Sequence, residues 1–219
     1  MSLCLPVNTS SSRLYAILDT DLLEARGLAP LDVCDVWLTG GIRLIQLRAK
    51  GMASGAMLTL AEALLVRARA AGARLIINDR ADIAAMCGAD GVHVGQDDLA
   101  PAEVRGMLGS EVIVGLSTHS DAQVAHAVLQ AVSYVAFGPV FGTPTKDTGY
   151  DALGLEAVAR AATAARAAGI PLVAIGGITR ERAPDVWAAG ADAVAVISDL
   201  VGTSLPETAA RVRAWSELR

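Results

Sequence analysis

The chain lacks the features that mark several classes of protein. Its 219 residues contain no apolar run long enough to cross a bilayer and no basic run suited to a nucleic acid, and the net charge is −5. We therefore expect neither a membrane nor a nucleic-acid partner. The three cysteines have no metal-ligand spacing, which predicts reduced thiols in a cytoplasmic protein. Residues 1–12 lack the basic and apolar regions of a secretory signal, and we interpret them as a disordered tail.

Lysine is also scarce, since sixteen of the eighteen basic residues are arginine. The two lysines, Lys50 and Lys146, each follow a short apolar run and lie next to or near glycine or threonine. A lysine is a compact, mobile point charge, whereas an arginine is a planar fork of donors. The positions of the two lysines indicate phosphate binding or amine chemistry, with chance placement in polar loops as the plainer alternative.

Eight short apolar runs recur along the chain, and most are followed by polar residues and then by an alanine-rich, helical stretch. Most runs are continuous and β-branched, which is typical of parallel strands buried on both faces. The pattern predicts an α/β fold, a single-domain (β/α)8 TIM barrel over residues 13–219. A doubly wound sheet is disfavoured because the units are evenly spaced and no early GxGxxG is present. The runs are residues 14–18, 44–47, 75–77, 91–94, 112–116, 134–137, 172–175 and 193–197.

Acidic residues follow two neighbouring predicted strands, at the barrel end where active sites lie. Asp79 follows the third run, and Asp97 and Asp98 follow the fourth. Their carboxylates can converge on one hard cation, so we predict a magnesium site. Taken singly, each aspartate is equally well explained as a helix cap or turn residue. The basic residues that would surround phosphates on the same ion are Arg48, Lys50 and Lys146.

A second phosphate site is predicted where the seventh and eighth strands end. Gly176-Gly177 and Ile197-Ser198 occupy the loops in which barrels often bind a monophosphate through backbone N–H groups, although a glycine pair alone is equally a tight turn. A metal-bound diphosphate beside a monophosphate implies two phosphorylated substrates, with diphosphate as a good leaving group. No Ser-His-Asp or Cys-His arrangement supports a covalent mechanism. Of the histidines, only His119 follows a strand at this end.

The ordered segments QLRAK, NDR, GVHVGQDD, GLSTH, GPVFGTPTK and AIGGI resemble the thiamin phosphate synthase family over roughly residues 14–200. The resemblance implies that 4-amino-2-methyl-5-hydroxymethylpyrimidine diphosphate is joined to 4-methyl-5-(2-phosphoethyl)thiazole, or its carboxylated form, giving thiamin phosphate and diphosphate. It implies magnesium as cofactor and ionisation of the pyrimidine C–O bond before the thiazole nitrogen attacks.

The resemblance also implies a role for individual residues. Arg48, Lys50, Ser117 and Lys146 would act in catalysis. Gln46, Arg48, Lys50, Asn78, Ser117 and Lys146 would bind the pyrimidine diphosphate; Thr143, Thr145, Gly176, Ile197 and Ser198 would bind the thiazole phosphate; Asp79 and Asp98 would bind magnesium.

Two positions depart from the family pattern, and other functions stay open. Ala49 replaces a frequent acidic residue and Gly142 a frequent proline, without removing a predicted ligand. A thiazole tautomerase-like isomerase on the same barrel would need the monophosphate site and His119 but not the magnesium site. A non-catalytic barrel that binds a phosphorylated ligand is a second alternative, and an aldolase with Lys50 or Lys146 as a Schiff-base amine is a third. The sequence does not specify the oligomeric state.

Overall fold

The structure is a computed structural model that describes residues 13–142 and 151–218. Within these residues, eight parallel strands pair in chain order, and β1 also pairs with β8 to close the sheet. The predicted (β/α)8 TIM barrel is therefore confirmed. The strands are β1 (Leu14–Asp19), β2 (Leu44–Arg48), β3 (Arg74–Asn78), β4 (Gly91–Val94), β5 (Ile113–Thr118), β6 (Tyr134–Phe137), β7 (Leu172–Ile175) and β8 (Ala193–Val196).

The helices surround the barrel, and two of them follow β1 before the chain enters β2. The eighth strand ends one residue earlier than predicted, at Val196, because a short 3₁₀ helix over Ser198–Leu200 begins almost immediately. The helices are α1 (Thr20–Ala25), α2 (Pro30–Thr39), α3 (Ser54–Ala70), α4 (Ala81–Cys87), α5 (Pro101–Leu108), α6 (Asp121–Ala127), α7 (Gly154–Ala167), α8 (Ala183–Ala188) and α9 (Leu205–Ser216).

The barrel has two apolar layers because successive side chains of a strand point to opposite faces. The larger layer packs the strands against the helices. The smaller layer fills the inside of the barrel with one set of alternating strand residues: Tyr15, Ile17, Leu44, Ile76, Ile113, Tyr134, Ala136, Val173, Ala193 and Ala195. The same alternation places Asp19, Gln46, Arg48, Asn78 and Ser117 on the inner side towards the carboxyl ends of their strands.

One glycine in β5 makes room for a buried tyrosine inside the barrel. A Cβ atom at Gly115 would lie 2.1 Å from Cζ of Tyr134, a separation that no side chain could tolerate without displacing the ring. Tyr134 itself is fully buried. The absence of a side chain at Gly115 therefore leaves the space that the Tyr134 phenol occupies.

The sequence also predicted reduced thiols, no membrane-spanning segment and a disordered tail. Cys34 in α2 and Cys87 in α4 are free cysteines, and burial raises the pKa of the Cys34 thiol to about 11. No helix in the described parts of the chain is long and apolar enough to span a membrane. The tail predicted for residues 1–12, and the predicted substrate contacts at Thr143, Thr145 and Lys146, lie outside the described residues.

Candidate active site

An arginine–aspartate pair joins the carboxyl ends of β1 and β2. Arg48 lies opposite Asp19 in the strand register, and its guanidinium donates to the Asp19 carboxylate. Asp19 is only 4% exposed, and its second oxygen accepts a hydrogen bond of 3.0 Å from the backbone N–H of Leu22, which caps α1. Asp19 was not among the predicted site residues. It positions Arg48, because both of its oxygens are engaged and the carboxylate is therefore held in place.

A lysine and two aspartates lie together at the ends of β2, β3 and β4. Nζ of Lys50 is 3.4 Å from Oδ2 of Asp79. Burial raises the pKa of Asp79, the neighbouring Asp98 carboxylate raises it further, and Lys50 acts in the opposite direction. The predicted convergence of the two aspartates is thus present in the structure.

Each aspartate was also explained as a helix cap or a turn residue, and the structure supports such a role for Asp98 but not a cap at Asp79. Asp79 does not cap α4, since Arg80 occupies the N-cap position there. Its backbone has a φ of +62°, which is uncommon for any residue but glycine. Asp98 does serve as a turn residue, because its carboxylate accepts a hydrogen bond of 2.7 Å from the N–H of Gly95.

The Asp79–Asp98 pair fits a small, hard cation. Burial is the main cause of the raised pKa of Asp79, and repulsion from the Asp98 carboxylate adds to it. A divalent ion between the two carboxylates would remove that repulsion. Magnesium commonly uses one or two protein carboxylates and takes its other ligands from water and substrate phosphate. In residues 13–142 and 151–218, no group of three or more histidine, cysteine, aspartate or glutamate side chains is arranged to hold a metal. A fully protein-enclosed metal site is therefore not found among these residues.

The raised pKa of Asp79 leads to a prediction about stability. In EDTA near neutral pH, Asp79→Asn should raise the free energy of unfolding, because the ionised carboxylate is disfavoured in the folded state. The gain should disappear below the ordinary aspartate pKa, where the carboxyl group is protonated in both states. Asparagine tolerates the positive φ, so the backbone should be kept. Urea unfolding at both pH values measures the effect.

Asp82→Asn is the matched control for this measurement. Asp82 lies in the first turn of α4 and pairs with Arg80, which lowers the pKa of Asp82. The same change of charge should therefore leave stability unchanged or reduce it slightly. Loss of stability in the Asp79→Asn protein at neutral pH would show that the Lys50 contact outweighs the burial of the carboxylate and its repulsion by Asp98.

The loops after β7 and β8 meet in one cavity. The cavity has a volume of about 340 Å³, and Ser117, Gly176, Ile197 and Ser198 are among the residues that line it. Gly176 has a φ of +103°, and a Cβ atom there would lie 2.5 Å from Cα of Pro139. A side chain at this position would thus be strained and would clash with the neighbouring loop. Three of the predicted monophosphate residues, Gly176, Ile197 and Ser198, are brought together, and Gly176 is required by the packing of the two loops.

Three arginines that the sequence did not single out also line this cavity. Arg26 donates to carbonyl groups of the loop after β8, including that of Val201. Arg182 donates to the carbonyl of Gly177 at 2.9 Å and lies over the Phe141 ring. Arg211 pairs with a glutamate on its own helix, α9. None of the three follows a strand directly, because each lies in a helix or at a helix terminus. Arg26 and Arg211 are also far along the chain from the glycine pair, whereas Arg182 lies five residues after Gly177.

A series of polar side chains crosses the inside of the barrel and joins two predicted substrate residues. Gln46 donates to the Tyr15 hydroxyl at 2.8 Å, and that hydroxyl lies 3.0 Å from the Tyr134 hydroxyl. The Tyr134 hydroxyl is 2.8 Å from Nδ1 of His93, and Nε2 of His93 is 2.8 Å from Oγ of Ser117. His93 lies within β4, and neither tyrosine was predicted as part of the site.

The remaining predicted residues also lie at the carboxyl end of the barrel. Asn78 ends β3 opposite His93 in the register. His119 follows β5 and lines the 340 Å³ cavity, where its Nδ1 is 2.6 Å from the carbonyl oxygen of Gly138. Gln46, Arg48, Lys50, Asp79 and Ser117 are gathered at this end as expected, and their roles as ligands stay predictions.

The fold and the site together define a (β/α)8 barrel that carries, at the carboxyl ends of its strands, an acidic pair next to basic side chains and a glycine-lined cavity. A family model described as thiamine monophosphate synthase matches residues 14–200, and the chain belongs to that family. The thiamine-phosphate synthase of Chlorobium luteolum is 48% identical over 183 residues, covering 84% of this chain and 85% of its own.

Two further comparisons give the same family. The thiamine-phosphate synthase of Roseiflexus castenholzii is 41% identical over 206 residues, covering 94% of this chain and 89% of its own. The solved thiamine phosphate pyrophosphorylase of Pyrococcus furiosus superposes with a TM-score of 0.79 at 28% identity, covering 93% of this chain and 95% of that one. The family resemblance inferred from the sequence segments is confirmed.

Proposed function

We propose that the chain is a thiamine-phosphate synthase that joins 4-amino-2-methyl-5-hydroxymethylpyrimidine diphosphate to 4-methyl-5-(2-phosphoethyl)thiazole, or its carboxylated form. The observation that carries the proposal is the contact of Lys50 with Asp79, which interacts with Asp98, at the same end of the barrel as the Arg48–Asp19 pair. This arrangement supplies carboxylates for a metal ion and cationic side chains for the oxygens of a metal-bound diphosphate. Family membership supports the same reaction.

In the proposed reaction, the C–O bond between the pyrimidine methylene group and diphosphate breaks, and its electron pair leaves with diphosphate. The thiazole nitrogen then donates its lone pair to the methylene carbon, which forms the C–N bond of thiamin phosphate. A magnesium ion on Asp79 and Asp98 would neutralise charge on the departing diphosphate. Arg48 is suited to a bidentate contact with the diphosphate oxygens, and Lys50 to a mobile point contact.

The second substrate would be held by the cavity after β7 and β8. Its phosphate would contact the backbone around Gly176 and Ser198, and its ring would lie towards Ser117, which lines the same cavity. Both substrates would then meet at the inner edge of β5. Orientation of this kind lowers the barrier by making the attack effectively unimolecular.

The direct experiment supplies the purified protein with both phosphorylated substrates and magnesium and measures thiamin phosphate and diphosphate together. Equal amounts of the two products are expected. A parallel reaction without the pyrimidine diphosphate tests for isomerisation of the thiazole. Isomerisation alone would favour the tautomerase-like alternative, and tight binding without turnover would favour the non-catalytic barrel.

Magnesium dependence gives a second prediction. Asp98→Asn keeps an oxygen that can accept from Gly95 but removes the charge. We expect it to weaken magnesium-dependent binding of the pyrimidine diphosphate by at least about tenfold, ~1.4 kcal/mol, in calorimetry. Binding of the thiazole phosphate should change far less.

Asp97→Asn, one residue earlier, is the control and should behave as the unmodified protein. Full magnesium-dependent binding in a protein with both Asp79→Asn and Asp98→Asn would remove these residues as metal ligands.

A further inference from the structure

The hydrogen bonds between the polar side chains inside the barrel all run in one direction from donor to acceptor. The donor and acceptor capacities of the side chains determine that direction. We call Gln46, Tyr15, Tyr134, His93 and Ser117 the interior chain; its four contacts measure 2.8, 3.0, 2.8 and 2.8 Å in that order. The amide nitrogen of Gln46 can only donate, so the Tyr15 oxygen accepts from it. The hydroxyl hydrogen of Tyr15 is then available for Tyr134, and that of Tyr134 for His93.

The same logic fixes the tautomer of His93. If Nδ1 accepts from Tyr134, a neutral imidazole carries its hydrogen on Nε2 and donates it to Oγ of Ser117. The Ser117 oxygen is thereby used as an acceptor inside the barrel. Its own hydrogen is left to donate elsewhere, and Ser117 lines the 340 Å³ cavity.

The opposite direction is disfavoured by the burial of the tyrosines. Tyr15 and Tyr134 are 1% and 0% exposed, and burial raises the pKa of both phenols, which keeps their hydrogens in place. With the direction reversed, the Tyr15 oxygen would accept from both Gln46 and Tyr134, and its own O–H would have no acceptor in the interior chain. A buried hydroxyl without an acceptor is costly, so the direction from Gln46 towards Ser117 satisfies more groups.

We infer that Tyr134 and His93 are positioning residues, which hold Ser117 as a hydrogen-bond donor towards a substrate acceptor in the cavity. The substrate part of this inference rests on the proposed function, in which the two substrates meet beside Ser117 at the edge of the cavity and that acceptor belongs to the pyrimidine diphosphate. The tautomer part rests on the contacts alone. Gly115 contributes by leaving the space that the Tyr134 phenol occupies.

Nitrogen NMR of ¹⁵N-histidine-labelled protein tests the tautomer directly, without any substrate. His93 should carry its hydrogen on Nε2 and none on Nδ1, with its signals identified by comparison with the His119→Asn and His126→Asn proteins. Tyr134→Phe removes the donor to Nδ1 and should shift the population away from this tautomer. Tyr15→Phe leaves Tyr134 able to donate and should preserve it. A hydrogen on Nδ1 in the unmodified protein would overturn the inference.

Kinetics test whether Tyr134 acts through Ser117. Tyr134→Phe should lower kcat/KM by roughly tenfold in the unmodified background but by less than about twofold when Ser117 is already alanine. The same tenfold loss in both backgrounds would mean that Tyr134 acts independently and would overturn the positioning role. If the unmodified protein forms no thiamin phosphate, the proposed function fails, and the NMR result still decides the tautomer.

Discussion

Arg48→Lys is expected to lower kcat/KM for thiamin phosphate formation by roughly 5- to 150-fold, which corresponds to about 1–3 kcal/mol of transition-state stabilisation. Lysine keeps the positive charge but loses the planar fork, so it cannot pair with Asp19 and contact two diphosphate oxygens in the same geometry. Steady-state kinetics with the pyrimidine diphosphate as the varied substrate measures the loss.

Arg67→Lys is the matched control for this substitution. Arg67 forms an ion pair with Asp35 on the helical surface, where both side chains are substantially exposed, and it lies outside the candidate site. Its replacement should leave kcat/KM unchanged. Arg48→Lys with the kcat/KM of the unmodified protein would remove Arg48 from the site.

Lysine is a more informative replacement than alanine because Arg48 has a structural partner. Asp19 is almost completely buried, and Arg48→Ala would leave its carboxylate without that partner. Breaking a buried ion pair in this way typically costs about 3–5 kcal/mol of stability. An inactive Arg48→Ala protein would therefore not separate a lost substrate contact from a disturbed barrel.

The sequence predicted those parts of the fold that depend on local pattern. Apolar β-branched runs identify parallel strands wherever they occur, because both faces of such strands are buried. Residues just after these runs were expected at one end of the barrel, and Arg48, Asp79 and Ser117 lie there. The short 3₁₀ helix after β8 was not predicted, so the strand was extended by one residue.

Contacts between distant strands could not be predicted in the same way. Tyr15 and Tyr134 are 119 residues apart, and each lies in an apolar run where a tyrosine looks like an ordinary core residue. Their hydroxyl groups meet only because the sheet closes and Gly115 leaves room. Asp19 was missed for a related reason, since a carboxylate before a helix is usually explained as a cap. It is a cap here and also binds Arg48.

Lys146→Ala should separate a synthase from a tautomerase-like isomerase. Lys146 lies outside the described residues, and its role is predicted from the Thr143-Pro144-Thr145-Lys146 segment. If its charge stabilises the departing diphosphate, Lys146→Ala should lower kcat by about 10²–10³-fold, the usual effect of removing one electrostatic contact to developing charge. Lys146→Arg restores the charge with different geometry and should recover part of the rate. Single-turnover measurement of diphosphate release isolates this step from product dissociation.

His119→Asn provides the other half of the comparison. In an isomerase, proton transfer would need a titrating group at the carboxyl ends of the strands, and His119 lines the cavity there. In a synthase it has no proton to transfer, and its Nδ1 lies against the Gly138 carbonyl. We therefore expect His119→Asn to retain kcat within about threefold and to lose about 1 kcal/mol of stability, as for one net hydrogen bond.

His126→Asn, on α6, is the control for replacing a histidine. Loss of activity in His119→Asn but not in Lys146→Ala, together with thiazole isomerisation in the absence of any diphosphate substrate, would instead identify an isomerase.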